Sequence, residues 1–162
     1  MAESPTRGRP VIIGFDGSDE ALQAIEAAGR LLPGSPAVVV HVRSAAPLAP
    51  PPAGAPTLPP LPGAAPIDDA EVERIAKQVV DAGVRAAEAA GLRAQPALTR
   101  GAGVSDVAHA LADAAREHDA AVIVVGSRGR SRVKEALLGS VSSSLLGISS
   151  IPLLVVPLAE ND

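Results

Sequence analysis

The stretch Val11-Ile12-Ile13-Gly14-Phe15-Asp16-Gly17-Ser18 decides the fold. Its first five residues are apolar and largely β-branched, and a polar turn with glycine closes them. That is the pattern of a short strand buried on both faces. After Ser18 the period changes. Leu22, Ile25, Ala28/Gly29 and Leu32 recur at helical spacing, and Pro33-Gly34 ends the run. A strand that runs straight into a helix opens a β-α unit.

The same alternation continues down the chain. Residues 36–42 read as a second buried strand, centred on Ala37-Val38-Val39-Val40. Asp68 opens a long amphipathic helix whose expected inward stripe is Val72, Ile75, Val79, Ala82/Gly83 and Ala86, with Gly91 at its end. Residues 93–99 form a third strand, weakened by Pro96. Residues 104–118 form a helix with Val107, Leu111 and Ala114/Ala115 inward, and 120–125 form a fourth strand. The Gly/Arg/Ser-rich residues 126–138 end in an expected helical turn. A last helix over 139–149 and a last strand over 153–156 complete the order. Continuous apolar strands alternating with helices predict a single doubly wound parallel α/β sheet. In such sheets ligands bind beyond the carboxyl ends of the strands, where the strand order reverses.

One segment breaks the pattern. Residues 44–66 hold nine of the chain's 16 prolines, a density that no helix or central strand tolerates. They are expected to form an irregular or polyproline II insertion, mobile and dispensable for folding. Its Pro56-x-x-Pro59 and Pro59-x-x-Pro62 spacings offer a docking element for a protein partner. The folded domain is expected over 9–157, with flexible tails at 1–8 and 158–162.

Composition narrows the function. The chain has 162 residues, enough for one domain, and 47% are apolar against 20% charged, so it can build a core. Its net charge of −4 argues against a nucleic-acid binder. Without cysteine there is no disulfide, zinc–thiolate, iron–sulfur or thiol chemistry. Phe15 is the sole aromatic, so bases cannot be stacked on a platform of rings. No apolar run approaches the roughly 20 residues of a membrane helix, and no secretory signal is evident. A cytoplasmic location without a membrane partner is expected. His41 reads as a satisfied strand histidine. His109 and His118, nine apart, are assigned to different helix faces. No Ser, His and carboxylate stand at triad spacing.

Two turns carry chemistry. Gly14-Phe15-Asp16-Gly17-Ser18 is neither a dinucleotide fingerprint nor a Walker loop. It leaves Asp16 at the top of the first strand, either to cap the next helix or to accept hydrogen bonds from ribose hydroxyls. The second turn is Gly126-Ser127-Arg128-Gly129, followed nine residues later by Gly139-Ser140. Gly126 and Gly129 allow close backbone approach and φ > 0. Gly139-Ser140-Val141-Ser142 starts a helix whose free N–H groups favour an anion, with the Ser140 and Ser142 hydroxyls as further donors. Arg128, Arg130, Arg132 and Lys134 add four cations in seven residues. The features suit a polyphosphate.

These motifs, with the strand end Val40-His41-Val42 and the tail Ile151-Pro152-Leu153-Leu154-Val155-Val156-Pro157, resemble the universal stress protein family over nearly the whole chain. The spacing Gly126-x2-Gly129-x9-Gly139-Ser140 is similar to that of its ATP-binding branch. The resemblance implies a five-stranded Rossmann-like sheet of order 3-2-1-4-5, of the adenine nucleotide alpha hydrolase type, with ATP over strands 1 and 4. Gly14 and Asp16 would lie at the ribose and the Val42 backbone at the adenine edge. Val125 and Gly126 would lie near the sugar and phosphates, and Arg128, Gly129, Gly139, Ser140, Val141 and Ser142 would cradle the phosphates. It also implies a homodimer through strand 153–156.

The leading reading is an ATP-binding, nucleotide-dependent stress-response regulator, with Mg2+ as an optional companion on the phosphates. It has no catalytic residues of its own and at most slow ATP hydrolysis. Two alternatives stand beside it: a nucleotide-independent interaction module using the Pro-rich segment, and an ATP-using adenylating enzyme. A Ser-Gly-Gly-x-Asp-Ser type loop after strand 1, which adenylation would use, is absent.

Overall fold

The computed structural model describes residues 8–44, 68–101, 104–127 and 139–157. Residues 1–7 and 158–162 of the expected tails, the Pro-rich insertion beyond Ser44, and the basic turn with Arg128 and Gly129 lie outside the described residues. The elements run β1 (Val11–Gly14), α1 (Asp19–Leu31), β2 (Pro36–Ser44), α2 (Asp69–Ala89), β3 (Arg93–Gly101), α3 (Val104–Glu117), β4 (Val122–Gly126), α4 (Ser140–Ile148) and β5 (Leu153–Val156). The five strands form one parallel sheet of order β3-β2-β1-β4-β5, as expected.

The two-residue alternation of β1 divides the core. Val11, Ile13 and Phe15 pack with Ile25 of α1, Val39 of β2 and Val80 of α2 on one face. Ile12 packs with Val38, Val40, Leu111, Ile123 and Leu145 on the face covered by α3 and α4. Each such side chain contributes about 1.5–3 kcal/mol when fully buried. A run buried on both faces therefore shows continuous hydrophobicity rather than alternation, which is why the strands were legible.

The inward stripe of α2 is corrected by about one residue. Ala76, Val80, Gly83 and Ala87 are buried, whereas Ile75 is 46% exposed. The cause is steric. A Cβ on Gly83 would lie 2.7 Å from Phe15 Cδ1 and 2.8 Å from Val39 Cγ1. The helix lies so close to the sheet that its smallest residues must face it, and the larger Ile75 turns outward. In α3, too, Ala108, Leu111, Ala112 and Ala115 are buried, with Val107 and Ala114 only half-buried.

Pro96 sits within β3, opposite Val39, and the strand runs on to Gly101. It is tolerated because β3 is an edge, where a missing N–H leaves no gap in the ladder. Among the described residues, no helix is long and apolar enough to cross a membrane.

Candidate nucleotide site at the ends of β1 and β4

Strand order reverses at β1. The chain leaves β1 toward β2 and β3, then crosses back to β4 on the opposite side. Ile13 pairs with Val124 and Gly14 with Val40, so the ends of β1, β2 and β4 stand side by side. This places Gly14, Asp16, Val42, Val125 and Gly126 along one rim of the sheet.

The turn after β1 is held from three directions. Phe15 N–H donates to Val40 O at 2.9 Å, and the His41 ring Nδ1 donates to Phe15 O at 2.8 Å. Gly17 adopts φ +83°, a conformation that only glycine takes cheaply. Asp16 Oδ1 accepts from Ser18 N at 2.9 Å and from Ser18 Oγ at 2.5 Å. Ser18 is the N-cap of α1, its Oγ accepting from Ala21 N at 3.2 Å. The reading of Asp16 as the cap is thus corrected: Asp16 orients the cap. Its Oδ2 takes no partner among the described residues.

The end of β4 is organised by Ser127, a buried residue that the sequence reading passed over. Its N–H donates to Val156 O at 2.7 Å, and its carbonyl accepts from Gly139 N at 2.5 Å. These bonds tie β5 and the start of α4 to the tip of β4. Its place between Gly126 and the Arg-rich run was the only signal, and a serine there reads as loop.

Gly126 plays a different part from the one expected. It is absent from the glycines with positive φ, which are Gly8, Gly17, Gly34 and Gly91 among the described residues. A Cβ at Gly126 would instead lie 3.0 Å from the backbone of Glu20. Its missing side chain lets α1 close onto β4. Gly14 is similarly constrained, with Leu111 Cδ1 3.1 Å and Val125 Cγ1 3.3 Å from its would-be Cβ.

Among the described residues the N-terminus of α4 has no side-chain cap, unlike those of α1 and α2. The first bond back to Gly139 O comes from Ser143 N at 3.0 Å. The N–H groups of Ser140, Val141 and Ser142 therefore lack acceptors within the helix, and this end carries the positive pole of the dipole. Ser140 is exposed. Ser142 is 1% exposed, and its Oγ donates to Gly139 O at 2.9 Å, so that hydroxyl proton is engaged within the turn.

A doubly wound sheet with a carboxylate at the tip of β1 and the start of a helix at the tip of β4 is an α/β domain whose ligand crevice falls at the switch point of the strand order. Residues 8–157 match the universal stress protein family model, and the chain belongs to that family. Universal stress protein YxiE of Bacillus subtilis (strain 168) is 30% identical over 155 residues, covering 90% of this chain and 97% of the relative. Among solved structures, a universal stress protein in complex with cAMP is similar with TM-score 0.64 and 23% identity, covering 94% of this chain and 98% of the other. The universal stress protein of Archaeoglobus fulgidus in complex with dAMP is similar with TM-score 0.59 and 22% identity, covering 91% and 96%. At these identities the two solved structures speak to the fold.

Proposed function

We propose that this chain binds ATP across the ends of β1 and β4 and acts as a nucleotide-dependent stress-response regulator in the cytoplasm. The observation that carries the reading is the Gly139 N–H to Ser127 O bond of 2.5 Å, which sets an uncapped helix start at the tip of β4. N–H groups without an acceptor among the described residues favour a phosphate at that place. Asp16, with Oδ2 available, faces the ribose; Gly14 keeps the β1 tip low, and the Val42 backbone meets the adenine edge. Val125 and Gly126 border the sugar. Ser140, Val141 and Ser142 offer N–H groups to the phosphates, and the motif spacing assigns Arg128 and Gly129, outside the described residues, to the same ligand group. The cAMP and dAMP complexes of similar structures support an adenine nucleotide as the ligand class.

Among the described residues, no group of three or more His, Asp or Glu side chains gathers as a metal site. Mg2+ would therefore arrive on the phosphates. The site supplies position and charge rather than a base, which fits hydrolysis that is slow at most.

Calorimetry with ATP, AMP and cAMP on wild type and Gly129→Val tests the reading. A micromolar ATP affinity, about −8 kcal/mol, that is lost in Gly129→Val supports it. Equal affinity in both proteins, or none in wild type freed of retained nucleotide, overturns it.

A further inference from the structure

On the far side of the sheet from β4, an open groove of about 500 Å³ runs between β3 and α3. One wall is β3 from Ala97 to Arg100. The other is a helical stripe in which Asp106, Ala110, Asp113 and Glu117 follow one another at three- and four-residue steps, with Ala114 beside Asp113. His109 and His118, which their spacing assigns to different faces, both border it. His118 lies just past the last residue of α3, where helical spacing no longer places it.

Three features select an occupant. The first is a sheet edge with which no other described strand pairs. Pro96 has no N–H, so its position is the one facing away from β2. By two-residue alternation Leu98 and Arg100 turn their N–H and C=O groups outward as well. Pro96 itself does not line the groove, so the proline blunts one half of the edge and leaves the other half open. The second is room. Ala97, Ala110 and Ala114 present only methyl groups beside that half of the edge. The four β3 residues span about 13 Å at about 3.3 Å each, the length of a short strand. The third is charge. Among the described lining residues, Asp106, Asp113 and Glu117 face one Arg or Lys, Arg100, which also reaches Glu73 Oε2 at 3.9 Å. Asp113 is paired with Arg116 on its own helix.

We infer that this groove takes an extended basic segment of a partner protein, which adds to β3 as a sixth strand. Main-chain bonds form to Leu98 and Arg100. Alternate Lys or Arg side chains of the segment lie toward the carboxylates of α3, and main-chain pairing with side-chain selection at every second residue is the logic of strand addition. None of the residues lining this groove is among those assigned to the nucleotide, although Thr99 is the register partner of Val42 at the rim.

The test is a titration of the 15N-labelled full chain with the peptide acetyl-KVKVKV-amide, and with acetyl-EVEVEV-amide as control. The expected result is saturable shifts of the Leu98 and Arg100 amide signals with the basic peptide only. Leu98→Pro removes an outward N–H without touching the β2 ladder, and should weaken binding at least tenfold. Ala110→Arg, which fills the groove and reverses its charge, should do the same and serves if Leu98→Pro fails to fold. Equal binding of the acidic peptide, shifts centred elsewhere, no shifts at millimolar peptide, or unchanged affinity in the folded variants would overturn the inference.

Discussion

Gly126 and Glu20 are packed so that a Cβ on the glycine would sit 3.0 Å from the backbone carbon and oxygen of the glutamate. The contact joins the tip of β4 to the first turn of α1, and both flank the candidate nucleotide site. A glycine that reads in sequence as a phosphate loop residue is thereby needed for helix–sheet contact even without a ligand. Gly126→Ala should destabilise the nucleotide-free protein by about 1–3 kcal/mol through overpacking. Urea unfolding without nucleotide measures this, and unchanged stability would show that α1 yields freely.

Gly83→Ala is expected to be destabilising although alanine is the better helix former by about 1 kcal/mol. The added methyl would come within 3.0 Å of both Phe15 and Val39, in a core where neither can move away. Overpacking of about 1–3 kcal/mol outweighs the propensity gain. Ile75→Ala on the exposed side of the same helix should change stability far less. Thermal melts of both variants compare the two faces directly.

Asp16 and Ser18 separate by role. Ser18→Ala removes the cap of α1 and should cost about 1 kcal/mol of stability. Asp16→Asn keeps an acceptor for the Ser18 N–H but removes the carboxylate's charge. It should keep most of the stability and weaken ATP binding several-fold. Chemical unfolding together with calorimetry on both variants tests the division. Stability losses of equal size, with ATP affinity unchanged, would assign both residues to the turn alone.

Arg43 is 5% exposed, and its guanidinium reaches Glu73 Oε2 on α2 at 3.8 Å. Glu73 is half exposed and also faces Arg100, the register partner of Arg43 in β3, at 3.9 Å. Glu73→Ala leaves a buried cation without its carboxylate and should cost about 1–3 kcal/mol, below the range for a fully buried pair. Adding Arg43→Met should recover part of the loss. A double-mutant cycle reads the coupling, and strictly additive effects would show that the pair contributes nothing.

β5 is an edge strand of which all four residues, from Leu153 to Val156, are half-buried. An apolar edge of this kind invites pairing with a second chain. A homodimer mass is expected by light scattering at micromolar concentration, and Leu154→Lys should shift it toward the monomer.

The strands and their parallel arrangement were legible in the sequence, and the family resemblance implied their order. Continuous β-branched runs such as Val11 to Ile13 and Val38 to Val40 have no stable home except a sheet covered on both faces. The start of α4 after Gly139 was legible for a similarly local reason, since turn and helix chemistry act over a few residues. Close packing was not legible, because it depends on partners distant in the chain. Only the tertiary structure turned α2 so that Gly83 meets Phe15 and Ile75 faces out. It also made Ser18 rather than Asp16 the cap of α1, and gave Gly126 to Glu20. Ser127 became the knot between β4, β5 and α4 only because Val156 and Gly139 come to it in space. Periodicity reports which residues avoid water; it carries no record of which atom will stand 3 Å away, and that separation decided the packing of Gly126 and the hydrogen bonds of Ser18 and Ser127.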